Sequence, residues 1–189
     1  LAKKMKLPCE EEAFLAACMA GAGRKARGLL KKLPGGVEAL EQEDLKLIAH
    51  AAAAGNAGAV ALMADLGFDL ETKSDWGGSA LHQAAWHGHE SVVDILLKRG
   101  ARTESTNQWV GDALHTAIHG ATHGDHSHGA AVVKRIAERV VPAGVTEHHV
   151  AAAREGGNAE VTAVLEAARD TGNPAYLAAL QQADRASSP

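Results

Sequence analysis

Residues 76–100 read WGGSALHQAAWHGHESVVDILLKRG and predict two short amphipathic helices joined by a turn. The apolar side chains recur at helical spacings in two groups: Ala80, Leu81, Ala84 and Ala85, then Val92, Val93, Leu96 and Leu97. Gly88 separates the groups, and Gly100 follows the last apolar position, where glycine commonly ends a helix. One helix pair of this size cannot bury its own apolar face, so the stretch predicts similar units beside it.

The pattern recurs with a period of 33 residues. Six positions of the preceding unit match positions 33 residues later in this stretch: Ile48, Ala51, Ala52, Gly55, Val60 and Gly67 match Leu81, Ala84, Ala85, Gly88, Val93 and Gly100. A further unit begins at ALHTAI (113–118), but its second apolar group, VVKRIA (132–137), follows the template at an offset of 40. The sequence therefore predicts an insertion of seven residues (40 less 33) within 120–129, forming a flexible, exposed loop.

The composition favours stacked helices and argues against several classes of function. Apolar residues make up 46% of the 189 residues but aromatic residues only 3%, which suits closely packed, alanine-rich helices. A net charge of −4 and a pI near 6.3 give no basic footprint for nucleic acid. The sequence has no apolar run of about 18 residues that could span a membrane, and its two cysteines favour a reduced, cytoplasmic protein.

The motif GGSALHQAAWHGH (77–89), followed by VV (92–93) and LLKRGA (96–101), resembles the signature of the ankyrin repeat family. The resemblance covers about residues 11–172 and implies an all-α ankyrin-repeat solenoid in a single domain, 1–189. The expected units are 11–41, 42–73, 74–106, 107–143 and 144–172, and Asn173-Pro174 predicts the start of a C-terminal capping helix, 173–184. No unit has the family's Thr-Pro, but Ser79 and Asp112 stand in its place and can cap the first helix.

Ankyrin repeats are stacking and binding scaffolds, so the resemblance implies a non-catalytic module for protein–protein interaction. It would bind another protein through loop tips and the concave face lined by the first helices. The partner-binding positions that the resemblance implies are Lys73, Asp75, Trp76, Trp86, His87, Gln108, Trp109 and His119. Trp76 and Trp109 are one period apart and should lie side by side, although each indole could instead pack over the alanine-rich helices.

The histidines suggest a second interpretation. His82 and His115 occupy the histidine position of the signature, and His89 lies in the turn that follows it. For all three rings the expected role is a local hydrogen bond. The segment 119–128 is different, because it places four imidazoles in ten residues: His119, His123, His126 and His128. Such residues could bind zinc, nickel or copper. Their spacing matches no closed zinc pattern, so a metal-responsive protein is the alternative and not the preferred hypothesis.

Motifs of catalysis are absent from the sequence. It contains no nucleophile elbow and no phosphate-binding loop, and its carboxylates are spread over outer helix faces. Cys18 falls on an apolar helix face, where a buried, inert thiol is expected. We therefore predict neither enzymatic activity nor a cofactor, while a regulatory ankyrin domain of a larger enzyme stays a further alternative.

Overall fold

The computed structural model describes residues 8–106, 111–124, 129–140 and 145–172. The regular elements in these ranges are helical, with a short 3-10 helix at Gly36–Ala39. The α-helices are α1 (Pro8–Met19), α2 (Gly23–Leu30), α3 (Gln42–Leu45), α4 (Leu47–Ala53), α5 (Ala57–Asp65), α6 (Ala80–Trp86), α7 (Glu90–Lys98), α8 (Ala113–His123), α9 (Gly129–Val140), α10 (Glu147–Glu155) and α11 (Ala159–Gly172).

The helices form two stacked layers. Helices α4, α6, α8 and α10 contact one another in sequence and form the inner row, while α5, α7, α9 and α11 form the outer row. Each inner helix also packs against the outer helix that follows it, and α1 pairs with α2 at the N-terminal end. The predicted all-α solenoid is confirmed. The unit boundaries remain a prediction, and the expected C-terminal helix, 173–184, lies outside the described residues.

Small side chains hold the inner row together. Ala51 and Ala52 of α4 and Ala84 and Ala85 of α6 are buried, together with Leu81, as the periodic pattern predicts. Alanine keeps neighbouring helix axes close and has the highest helix propensity. The turns from α4 to α5, from α6 to α7 and from α10 to α11 contain a left-handed residue, which glycine supplies at φ 68° (Gly55), 70° (Gly88) and 71° (Gly157).

The residue after each of these glycines ties its unit to the preceding inner helix. Asn56 Nδ2 donates to the carbonyl of Met19 at 2.8 Å, and Asn158 Nδ2 donates to that of Ala121 at 3.2 Å. His89 takes the same position, with Nε2 at 2.9 Å from the carbonyl oxygen of Ala53. The ring of His89 thus makes a hydrogen bond, as predicted, but its partner lies in the preceding unit and is not local in sequence.

The signature histidine behaves differently in two units. His82 is buried, and its Nδ1 accepts from Ser79 N–H at 3.3 Å in a capping box at the start of α6. For the ring of His115 no such capping box is seen among the described residues, and the predicted hydrogen bond stays a prediction. There the Asp112 carboxylate already caps α8, accepting from the backbone N–H of His115 at 2.8 Å. The His115 imidazole stacks on His148 instead, with ring centroids 5.0 Å apart.

The predicted loop at 120–129 begins as helix. Helix α8 has 11 residues where α6 has 7, and it places His119 and His123 on its surface. The extension is allowed because Gly120 lies against the end of α6: a Cβ atom at this position would be 2.3 Å from the carbonyl oxygen of Trp86. Two more glycines make room for the next residues, since a Cβ on Gly129 would meet Ala121 and one on Gly156 would meet Thr122. His126 and His128 lie outside the described residues.

Candidate functional site

Trp76 lies at the tip of the loop between α5 and α6. The turn is closed by the N–H of Gly77 donating to the carbonyl of Ser74 at 2.8 Å, and the stem by the N–H of Ser74 donating to that of Gly78 at 2.9 Å. The amide of Gln83 in α6 donates to the hydroxyl of Ser74 at 2.8 Å and anchors the loop to the helix. The Trp76 side chain itself is 73% exposed. An exposed indole on a tight, anchored turn is a ready contact for a partner.

The residues beside Trp76 connect its loop to the neighbouring loops. Asp75 accepts a hydrogen bond from Lys46 Nζ at 2.6 Å, and Lys73 Nζ donates to the carbonyl of Thr106 at 3.2 Å. The hydrogen bond between Asp75 and Lys46 lowers the pKa of the carboxyl and raises the pKa of the amine. Lys73 and Asp75 therefore pin the loop on both sides. Their predicted contact with a partner stays a prediction.

Trp86 forms a second aromatic surface at the far end of α6. Its indole is 36% exposed and stacks on His119, with centroids 5.2 Å apart, and His119 in turn stacks on His123 at 4.1 Å. His87 follows Trp86 and stacks on His89 at 6.0 Å. Because the seven residues of α6 span about 10 Å, Trp76 and Trp86 belong to two separate surfaces at opposite ends of one helix.

Part of the loop of the fourth unit, 107–110, lies outside the described residues. Gln108 and Trp109 lie outside the described residues. The predicted neighbouring position of Trp76 and Trp109 therefore stays a prediction.

A groove of about 370 Å³ lies between the inner helices α8 and α10, and we call it the histidine groove. It is lined by His115, Ile118, His119, Thr122, His123, His148, Ala151, Ala152, Glu155 and Gly156. On each helix the lining positions are spaced by three and four residues, so each helix contributes a single face. The small side chains of Ala151 and Ala152 give the groove its depth.

Two titrating groups at the N-terminal end of α8 have lowered pKa values. Burial lowers the pKa of His115, and the charges of the neighbouring His148 and His149 lower it further. Burial alone would raise the pKa of Asp112. Hydrogen bonds from His149 and from the backbone of His115 instead hold the pKa of this carboxyl below its usual value. His149 Nε2 lies 3.5 Å from Asp112 Oδ2, so this pair joins α10 to the start of α8.

The groove was not predicted, because the four histidines of the segment 119–128 are close along the chain whereas the groove joins histidines of two helices. The useful signal was the spacing of four that places His115, His119 and His123 on one face of a helix, with His148 one period after His115. In the described ranges no three histidine, cysteine or acidic side chains are placed to hold a metal ion. The metal hypothesis thus has no assembled ligand set among those residues.

Neither the described cysteine nor the helices suggest other classes of function. Cys18 is fully buried, and burial raises the pKa of its thiol to about 11, as expected for an inert core residue. Across the described parts of the chain, we find no helix with the length and apolar character needed to cross a bilayer.

Comparison with known proteins gives one family and one fold. Residues 6–108, more than half of the chain, match the family model described as ankyrin repeats, in three copies. The crystal structure of an ankyrin repeat domain from Acinetobacter baumannii AYE is similar, with a TM-score of 0.65 and 24% identity over 82% of this chain and 80% of that one. At this identity the likeness concerns the fold alone. No curated protein matches the sequence.

Proposed function

The chain belongs to the ankyrin repeat family, and from this premise we propose that it binds a partner protein through the Trp76 loop and the exposed ends of its inner helices. Ankyrin repeats are in general protein-interaction modules and are typically not catalytic. The proposal adds which surface of this chain binds. Neither a metal-responsive protein nor a regulatory domain of a larger enzyme is favoured by an observation on the described residues. The cytoplasmic location stays a prediction.

The observation that carries the proposal is the 73% exposure of Trp76 on a loop held from three sides. The loop is tied to α6 by Gln83, to the preceding unit by Lys46 and to the following loop by Lys73. A loop that is ordered before binding loses little conformational entropy when a partner docks, so more of the contact energy appears as affinity. At 73% exposure, most of the Trp76 indole surface is open to a partner.

The first experiment places a photo-crosslinking amino acid at position 76 and, in a separate protein, at position 134. Lys134 is an exposed residue of the outer helix α9 and serves as the matched control. We expect a discrete crosslinked protein from position 76 in a lysate and none from position 134. Equal products from both positions would show that the capture reflects general surface contact.

The second experiment measures affinity for the partner so identified. We expect Trp76→Ser to weaken binding by about 2 kcal/mol or more, roughly 30-fold, because interface hot spots of this type reach that size. Lys134→Ser should bind as the unaltered chain does, and both variants should melt within about a degree of it. Unchanged affinity of Trp76→Ser would contradict the proposal, and a large loss of melting temperature would assign the indole a structural role.

A further inference from the structure

The histidine groove has a single acidic side chain, and no lysine or arginine, among its described lining residues. This group is the carboxylate of Glu155, near the C-terminal end of α10. The adjacent cation, Arg154, is engaged by Glu147 at 3.3 Å and by Glu166. In the described part of the chain Glu155 forms no ion pair, so the groove presents one unpaired carboxylate beside imidazole rings and small apolar groups.

We propose that the histidine groove receives an arginine side chain of the partner protein; this inference rests on the proposed function, since it names the chemistry of that partner. An acidic side chain would meet the like charge of Glu155. A metal ion would lack a third ligand among the described residues. A cationic side chain is the occupant that the charge of the groove fits.

The shape and the rings of the groove select arginine over lysine. At about 370 Å³ it is near the lower end of the range of ligand sites, which suits one side chain and not a folded element. The imidazoles of His119 and His123 are stacked along one side, and His115 and His148 are stacked at the other end. A guanidinium is planar, stacks on aromatic rings and pairs with a carboxylate through two N–H groups, whereas an ammonium does neither.

The hydrogen bonds of His123 leave it an acceptor for such a donor. Its Nδ1 lies 2.7 Å from the hydroxyl of Thr122 and 3.2 Å from the carbonyl oxygen of His119. A carbonyl only accepts, so Nδ1 carries a proton, and in that tautomer Nε2 offers a lone pair. A guanidinium has five N–H donors and no acceptor, which complements a free imidazole lone pair and a carboxylate in one groove.

The test titrates the full chain with small probes and follows the histidine ring signals by NMR at pH 7.5. The probes are N-acetyl-arginine amide, N-acetyl-lysine amide, N-acetyl-glutamine amide and N-acetyl-glutamate. We expect saturable shifts of the His119 and His123 rings with the arginine probe, several-fold weaker binding of the lysine probe, and no saturation with the other two. Saturation by the glutamate probe, or tighter binding of lysine than of arginine, would overturn the proposal.

Three variants locate the binding. Glu155→Gln should weaken the arginine probe roughly tenfold, because it removes the charge that pairs with the guanidinium. Glu138→Gln, on the exposed outer face of α9, is the matched control and should leave binding unchanged. Ala152→Phe should fill the groove and abolish binding, with an unaltered circular dichroism spectrum showing that the fold is kept. Arginine binding that survives Glu155→Gln would overturn the proposal even if Ala152→Phe failed to fold.

The outcome is independent of the proposed function, because the probes require no partner. If arginine amide binds but position 76 crosslinks nothing, the groove site stands and the proposed function fails. If position 76 captures a partner but arginine amide leaves the histidine signals unchanged, the proposed function stands and the groove inference fails.

Discussion

Substitution of Gly120 by alanine should disturb the helix extension that carries His119 and His123. A Cβ atom at position 120 would lie 2.3 Å from the carbonyl oxygen of Trp86 and 3.0 Å from its carbonyl carbon. These are backbone atoms of α6, which cannot rotate away as a flexible side chain would. The end of α6 and the middle of α8 would therefore have to separate.

The expected change in the free energy of unfolding of Gly120→Ala follows from two opposing effects. Alanine in place of glycine within a helix stabilises by about 1 kcal/mol, while forcing an extra carbon into a packed contact costs typically about 1–3 kcal/mol. Because the contact is with backbone, we expect the upper part of that range and a net loss of about 1–2 kcal/mol. In a chain of this size that corresponds to a fall in melting temperature of roughly 2–8 °C.

The matched control is Gly28→Ala in α2, where an added Cβ has no atom within 4 Å. This variant receives only the helix-propensity gain and should melt about 2–4 °C higher than the unaltered chain. Melting is measured by circular dichroism at 222 nm, and tryptophan near-ultraviolet signals report the Trp86–His119 stack. If Gly120→Ala melts at or above the unaltered temperature while Gly28→Ala behaves as expected, α8 does not pass against the end of α6 as described.

Three further predictions concern single side chains. Burial lowers the pKa of His115, so the unfolded chain binds the proton at a higher pH than the folded chain does. The stability of the fold therefore falls as the pH drops below about 6.5. His115→Gln should lose less melting temperature between pH 7.5 and pH 5 than the unaltered chain. Asp112→Ala should lower the free energy of unfolding in urea by about 1–2 kcal/mol, because it removes the cap of α8 and the contact with His149. Asp112→Asn keeps a capping side chain and should lower this free energy by less than about 1 kcal/mol. In a Cys9→Ser background, Cys18 should not react with a disulfide reagent at pH 8 until urea unfolds the chain. The reason is that burial raises the pKa of its thiol to about 11. Fast reaction of the folded protein would contradict the burial of Cys18.

The order of the helices and the membership of the core were predictable from the sequence. Leu81, Ala84 and Val93 are buried as the 33-residue period predicts, since every unit repeats the same short-range pattern and buries the same face against its neighbour. The exposure of Trp76 was also predictable, because the repeat leaves loop tips free of packing. The hydrogen bonds that hold the Trp76 loop were not predictable, because their partners Lys46 and Thr106 belong to neighbouring units. No local sequence pattern marks these residues as partners.

By itself, the sequence determined that this protein is a stack of helix pairs, that Cys18 is a core residue and that an indole stands on a loop tip. Only the tertiary structure decided that His119 and His123 belong to a helix, that Trp86 stacks on one of them and that a groove with Glu155 lies beside them. The physical reason is the close approach of backbones. The extension of α8 depends on missing Cβ atoms at Gly120, Gly129 and Gly156, and each of these faces a residue from another helix. The glycines can be read from the sequence, but the helix that each one lies against is known only from the tertiary structure.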